Sequence, residues 1–215
     1  MSREQVLSDL DLAALVSSRV CHDIISPVGA IVNGLEVLDG ERDEDMRQVA
    51  LDLIARSARV ASAKLQFCRL AFGAAGSAGA EIDLGDAEEV TRGFIGHEKV
   101  EMVWRAPHET RPKNEVKLLL NLILTAISTI PRGGRITVEI DGPCYRVTAE
   151  GMGARIAEST SRLISGTGDG DDPDPRSIQA YHAYRLAEAC SHVLQVTQRG
   201  EGIAIEARPR AEAAA

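Results

Sequence analysis

The stretch VCHDIISPV, residues 20–28, decides how the N-terminal part of this chain folds. It lies in a strongly helical pattern, yet it contains Pro27, five residues after His22. A proline inside a helix removes a backbone hydrogen bond and costs about 3 kcal/mol. A helix that keeps Pro27 therefore needs strong packing along the rest of its length, or a use for the bend.

Apolar or small residues recur around this stretch in alternating steps of four and three. This spacing predicts one helix over about residues 6–39 that ends at Gly40. A second helix is predicted over about residues 43–72, and its apolar face is wider than a single hairpin can cover. The row on the first helix consists of Leu10, Ala14, Ser17, Cys21, Ile24, Val28, Ile31, Leu35 and Leu38.

A wide apolar stripe on two helices is typical of a four-helix bundle. Pairing two copies of an antiparallel hairpin is the simplest way to build one. We therefore expect a homodimer. The sequence leaves open a monomer in which the C-terminal half folds over the hairpin.

The composition favours a soluble protein that does not bind nucleic acid. Hydrophobic residues make up 44% and aromatic residues 3%, so aliphatic side chains must form the core. The net charge of −8 argues against a nucleic-acid partner. The N-terminus is polar, and the longest apolar run, residues 118–127, is too short to span a membrane. We expect a cytoplasmic protein without a membrane partner, whose four scattered cysteines are free thiols.

The chain divides into a hairpin domain (1–75), a small-residue linker (76–82), an α+β domain (83–210) and a frayed tail (211–215). An acidic loop is predicted over 165–175. The α+β domain combines predicted helices over 84–96, 113–130 and 176–191 with strands over 100–104, 135–140, 145–150, 193–198 and 202–208, which favours a mostly antiparallel sheet.

His22 is predicted to be exposed. Successive helical residues point about 100° apart, so His22 turns away from the row that contains Cys21, and we expect the same of Asp23. The other histidines stand in no such pattern and are read as ordinary surface residues. The residues that share roughly the His22 face are Leu15, Arg19, Ser26, Gly29 and Asn33.

The motif H-D-x-x-S-P, formed by His22, Asp23, Ser26 and Pro27, resembles the phosphoacceptor box of two-component histidine kinases. In those kinases the box lies on the first helix of a dimeric hairpin. The resemblance implies that the exposed imidazole of His22 accepts a phosphoryl group. Pro27 would bend the helix just beyond it.

The C-terminal half resembles the ATPase domain of the same kinases, but three chemical positions differ. Thr125, in NLILTA (121–126), stands where those kinases have a magnesium-binding asparagine. Ala149 stands where an aspartate reads adenine, and DPRSIQA (174–180) replaces a glycine-rich lid. The resemblance thus implies a degenerate α/β sandwich of the Bergerat type that does not bind ATP.

Across its whole length the sequence is similar to the ChpT family of bacterial phosphotransferases, above all in CHDIISP (21–27) and LQFCRLAFGA (65–74). The family implies a homodimer with kinase-like architecture. It also implies partners: the receiver domain of a hybrid histidine kinase of the CckA type as donor, and receivers of the CtrA or CpdR type as acceptors.

The resemblance also implies roles for the residues of the box. His22 takes the phosphoryl group, with Nε2 as the candidate atom, and Asp23 orients the ring or takes its proton. Asp23 has a cost, because its charge repels phosphate. Ser26 could donate a hydrogen bond to the phosphate. No cofactor is expected on this chain, and Mg²⁺ should come with the receiver.

A receiver must dock against the His22 face to react, since phosphoryl transfer depends on positioning. The C-terminal domain is expected to add a contact surface that selects partners. Candidate contacts on the first helix are Arg19, Ile25, Ser26, Gly29, Val32, Asn33 and Glu36, and on the second helix Lys64 and Arg69.

Three alternatives stay open. The chain could be a divergent kinase that uses ATP. It could be a dimeric scaffold without chemistry. It could also dephosphorylate receivers, since Ser26 stands where kinases carry a phosphatase residue.

Overall fold

The N-terminal part of the chain is a helical hairpin. A computed structural model describes residues 7–73, 80–167 and 173–210. Helix α1 spans Asp9–Gly40 and helix α2 spans Glu44–Ala71. The side chains of Ser8 and Asp43 cap the two helices by accepting backbone N–H groups of the first turn. Helix α1 passes Pro27 without interruption, so the predicted bend there stays a prediction.

The C-terminal part is built around a mixed sheet. Five strands lie in the order β2-β4-β5-β7-β6, in which β2 and β4 are parallel and the other neighbours antiparallel, while β1 and β3 form a separate pair. The elements are β1 (Glu81–Asp83), α3 (Leu84–Ile95), β2 (Val100–Arg105), β3 (Thr110–Pro112), α4 (Lys113–Ser128), β4 (Gly134–Asp141), β5 (Cys144–Glu150), α5 (Glu158–Ser165), α6 (Ile178–Ala189), β6 (His192–Arg199) and β7 (Gly202–Pro209).

Helix α4 lies at the centre of the core. Its residues 118–126 are all buried, a pattern that only a helix covered on every side adopts. Strand β4 alternates buried and more exposed positions, with Ile136, Val138 and Ile140 on the inner face. The predicted α+β class, with a helical hairpin followed by a sheet domain, is confirmed.

Several predicted boundaries need comment. Helix α5 and the short strands β1 and β3 were not predicted, because each is short and polar. Of the predicted linker, residues 76–79 lie outside the described residues, and β1 begins at Glu81. The middle of the predicted acidic loop, 168–172, and the predicted tail, 211–215, also lie outside them.

The two hairpin helices contact each other through small residues. On α1 the buried residues are Pro27 and Gly34, two helical turns apart on one face. A Cβ atom on Gly34 would lie 2.6 Å from Cγ1 of Ile54, so the helices approach too closely for a larger side chain. The predicted apolar row is therefore not the row buried within the hairpin, since Val28 and Leu35 on that row are 44% and 49% exposed.

The C-terminal domain contacts both helices of the hairpin. Phe67 of α2 stacks on Phe94 of α3, with ring centroids 4.4 Å apart. The side-chain amide of Asn121 in α4 donates to the carbonyl of Ala71, 3.2 Å away. Helix α6 lies against the first half of α1, which brings the C-terminal domain close to His22.

Candidate functional site

His22 projects from the middle of α1 into solvent, as predicted, with 60% of its side chain exposed. Its Nδ1 atom lies 3.4 Å from Oδ1 of Asp23. This is longer than an ordinary N–H···O hydrogen bond, so the contact orients the ring more than it holds it. The contact with Asp23 is made by Nδ1 and not by the other ring nitrogen, Nε2.

The prediction that Asp23 is exposed is wrong. Only 13% of its side chain is accessible, and its Oδ2 atom accepts a hydrogen bond of 2.8 Å from Nε of Arg19, one turn earlier. Asp23 shares a helical stripe with Pro27, on the side that faces α2. Burial, and then the negative charge of Asp23, raise the pKa of the Cys68 thiol on α2 to about 11.

Arg19 connects this pair to the C-terminal domain. Its Nη1 atom donates to Oε1 of Gln179, 3.0 Å away, and to the carbonyl oxygen of Arg176, 3.3 Å away. Only 17% of the Arg19 side chain is exposed. The sequence predicted Arg19 as a contact for a partner, and the structure gives it three hydrogen bonds within the chain. Neither Gln179 nor Arg176 was predicted to belong to the site.

A turn at residues 174–177 presents these two acceptors to α1. Oδ1 of Asp174 accepts hydrogen bonds from the backbone N–H groups of Arg176 and Ser177 and from the hydroxyl of Ser177. Burial raises the pKa of Asp174, but these hydrogen bonds outweigh it and lower that pKa below its usual value. The segment 174–180, predicted to replace a glycine-rich lid, is thus a hydrogen-bonded turn followed by the start of α6.

Most of the predicted docking residues on α1 are exposed. Val32 is 47% exposed and Ile25 is 71% exposed. Ser26, Asn33 and Glu36 are also exposed, and a Cβ atom added at Gly29 would meet nothing within 4 Å.

The two candidate residues on α2 have different surroundings. Lys64 is only 19% exposed, and its Nζ atom lies 4.0 Å from Oε1 of Glu98. Arg69 is exposed. Their roles as contacts of a receiver stay predictions.

Comparison with known proteins identifies the family. A profile of the histidine phosphotransferase C-terminal domain matches residues 84–202. The protein phosphotransferase ChpT of Brucella abortus (strain 2308) is 46% identical over 212 residues, which cover 96% of this chain and 100% of that protein. The chain belongs to the ChpT family of histidine phosphotransferases. A solved structure of a bacterial phosphotransferase agrees, with a TM-score of 0.86, 42% identity, and coverage of 94% of this chain and 98% of its own.

As a member of the ChpT family the chain is a phosphotransferase. The two positions at which the sequence was predicted to have lost nucleotide contacts are part of the core. Thr125 is buried and donates its hydroxyl hydrogen to the carbonyl of Asn121, while Ala149 is buried on β5. The amide group of Asn121 contacts Ala71, Lys117 and His182 of this chain.

A polar cleft of about 380 Å³ lies at the C-terminal end of α4, between α5 and the turn at 174–177. The described residues that line it include Ser128, Arg155 and Arg176, but not Thr125 or Ala149. Among residues 7–73, 80–167 and 173–210, no three His, Cys, Asp or Glu side chains are close enough together to hold a metal ion.

Proposed function

We propose that this chain is the intermediate of a phosphorelay and that His22 carries the phosphoryl group. The receiver domain of a hybrid histidine kinase of the CckA type donates from its aspartyl phosphate. Receivers of response regulators of the CtrA or CpdR type then accept. The observation that carries the proposal is the exposed imidazole of His22, whose Nδ1 faces a paired carboxylate.

The contact with Asp23 selects the ring nitrogen that attacks. A carboxylate oxygen only accepts hydrogen bonds, so we assign the ring proton to Nδ1 of His22 and the free lone pair to Nε2. Nε2 bonds to phosphorus, the bond from phosphorus to the receiver's carboxylate oxygen breaks, and the receiver aspartate leaves as a carboxylate. Transfer to the second receiver is the reverse of this step.

Asp23 stabilises the positive charge that develops on the ring, because it lies beside the Nδ1–H group. A lone carboxylate at this position would also repel the incoming phosphate. The guanidinium of Arg19, 2.8 Å from Oδ2, offsets that negative charge on the side away from the ring. In the Arg19–Asp23 pair, Asp23 therefore still orients the imidazole of His22, while its repulsion of the incoming phosphate is reduced.

The receiver docks on the exposed face of α1 beyond His22. Ile25 and Val32 supply apolar surface there, and Ser26 and Asn33 supply polar groups. The open space at Gly29 lets the receiver approach the helix backbone. The receiver brings the Mg²⁺ that neutralises the phosphoryl oxygens.

A second copy of the chain covers the other apolar surface of the hairpin. Apolar side chains that are 41% to 60% exposed line α1 and α2, which is far more than a monomeric hairpin in water leaves open. Two such hairpins would form a four-helix bundle. The residues concerned are Val28, Leu35, Val37, Met46, Val49, Leu51, Leu53 and Leu65.

The length and composition of α1 also suit a membrane span. Among the described helices it is the only one that is long and apolar enough to cross a membrane. We assign its apolar residues to the bundle instead, because Arg19 on the same helix forms an ion pair with Asp23 and donates a hydrogen bond to Gln179 of the C-terminal domain. The protein is then expected to work in the cytoplasm.

The C-terminal domain is proposed not to bind ATP. The buried hydroxyl of Thr125 and the methyl group of Ala149 replace a metal ligand and an adenine acceptor, and neither lines the polar cleft at the end of α4. The phosphoryl group must then come from another protein.

The proposal is tested by locating the phosphate. The chain is mixed with a phosphorylated CckA-type receiver domain, digested at alkaline pH to preserve the P–N bond, and analysed by mass spectrometry. We expect phosphate on the peptide that contains His22. Phosphate on another residue would refute the assignment of His22. Release of inorganic phosphate without any phosphorylated intermediate would favour a receiver phosphatase.

A further inference from the structure

A buried glutamine of the C-terminal domain contacts the phosphoacceptor helix. Gln179 is the second residue of α6 and is 1% exposed. Its Oε1 atom accepts from Nη1 of Arg19 at 3.0 Å. The two residues are 160 positions apart in sequence, so this contact joins the two halves of the chain next to His22.

The contact fixes the direction of the Arg19 side chain. A guanidinium has only donors, so the Gln179 amide must turn its oxygen towards Arg19. With Nη1 held by Gln179 and by the carbonyl of Arg176, the planar fork leaves Nε directed at Asp23. An arginine held at one end alone would sample several rotamers.

The same geometry extends to the imidazole. Oδ2 of Asp23 is engaged by Arg19, which turns Oδ1 towards Nδ1 of His22. Side-chain contacts thus lead without a gap from Gln179 through Arg19 and Asp23 to His22. Gln179 is the most buried of the four. The turn capped by Asp174 holds the start of α6 in place at the other end.

We propose that Gln179 is a positioning residue for phosphoryl transfer: it holds Arg19 against Asp23, and through them it sets the orientation and the charge environment of His22. This inference rests on the proposed function, in which His22 is the acceptor. It gives the C-terminal domain a part in the chemical step, in addition to any contact with receivers.

The test measures single-turnover transfer from a phosphorylated CckA-type receiver domain to the full-length chain over a range of receiver concentrations. Gln179→Leu removes the acceptor and keeps an apolar side chain of similar size. We expect the maximal rate to fall about tenfold, as for loss of one hydrogen bond to a charged group. The half-saturating receiver concentration should change less than about twofold, because docking on α1 is untouched.

Gln179→Glu keeps an oxygen acceptor for Arg19 and should recover most of the wild-type rate. Thr91→Val is the matched control, since it removes a buried side-chain hydrogen bond, to the carbonyl of Ala87, in a helix remote from Arg19. It should transfer at the wild-type rate. Gln179→Ser, which is too short to reach Arg19, replaces Gln179→Leu if that variant does not fold. In Gln179→Ser, ¹⁵N NMR of the imidazole should show a smaller share of the Nδ1-protonated form of His22.

Two results would overturn the inference: a wild-type maximal rate in Gln179→Leu or Gln179→Ser, or a loss confined to the half-saturating concentration. Failure of the proposed function is a separate outcome. In that case wild type itself acquires no phosphate on His22, whatever stands at position 179.

Discussion

Nε of Arg19 lies 2.8 Å from Oδ2 of Asp23, and the other oxygen of that carboxylate faces His22. The pair resolves a conflict in the motif. A carboxylate next to the acceptor orients the imidazole but repels phosphate, and a guanidinium on its far side reduces the repulsion without occupying the ring. The arginine belongs to the site as much as the aspartate does.

Replacing Arg19 should therefore slow transfer. In Arg19→Met the Asp23 carboxylate is left mostly buried and without its cationic partner, and we expect the transfer rate to fall about tenfold, equivalent to about 1.4 kcal/mol. Asp23→Asn should also slow transfer. Because each variant breaks the same pair, the double variant should lose less than the two losses combined. Strictly additive losses, measured by single-turnover transfer, would show that the two residues act independently.

The hairpin should respond in opposite ways to alanine at two glycines. Gly29→Ala meets no neighbour and should stabilise α1 by about 0.5–1 kcal/mol. Gly34→Ala places a methyl group 2.6 Å from Cγ1 of Ile54 and should destabilise the hairpin by about 1–3 kcal/mol. Urea unfolding followed by circular dichroism compares them. Equal effects would mean that α1 and α2 do not approach as closely as described.

Charge on the exposed apolar face should dissociate the bundle. Leu35→Glu places a carboxylate among apolar side chains, and we expect the mass in sedimentation to change from twice the 23.0 kDa of one chain to a single chain. Met152→Glu, at a 62% exposed position of the C-terminal domain, is the control and should remain dimeric. A monomeric wild type would refute the dimer, and detergent-dependent solubility would point to a membrane.

His182 should make the C-terminal domain sensitive to mild acid. Burial, and then the charges of Lys117 and Arg185, lower its pKa from 6.5 to about 4. In the unfolded chain His182 therefore binds a proton below about pH 6.5, whereas in the folded chain it stays neutral down to about pH 4. The stability that depends on neutral His182 is complete above pH 6.5 and declines as the pH falls towards 4. The loss is on the order of 3 kcal/mol.

The check is thermal or urea unfolding of wild type and His182→Gln at several pH values. The variant should lose less stability between pH 6.5 and 4 than wild type does. Parallel curves for the two proteins would mean that other groups cause the acid sensitivity.

The apolar spacing along residues 6–39 and 43–72 was enough to predict the two helices of the hairpin, and the first row also predicted the exposure of the imidazole of His22. It did not identify the inner face of α1, because small residues such as Gly34 form the contact while large apolar ones face outward. A search for apolar spacing gives most weight to large side chains, whereas two helices that approach closely need small residues at the contact. The prediction that Asp23 is exposed was wrong for a related reason. Its partner Arg19 lies one turn away on the same helix, but the packing of α2 and α6 beside α1 is not visible in the sequence.

The contact of Arg19 with Gln179 could not be predicted from one sequence. The two residues are 160 positions apart, and neither belongs to a motif that links them. Thr125 and Ala149, in contrast, stood out in the sequence as departures from the kinase pattern, and the loss of ATP binding that they imply stays a prediction. The structure adds that both are buried in the core.

The most direct test of the account follows labelled phosphate. A receiver domain carrying labelled aspartyl phosphate is mixed with wild type and with His22→Ala, and wild type is incubated separately with labelled ATP. The account predicts label on wild type only, and none from ATP. Label on His22→Ala equal to that on wild type would contradict the role of His22. Label taken directly from ATP would show that the chain is a kinase.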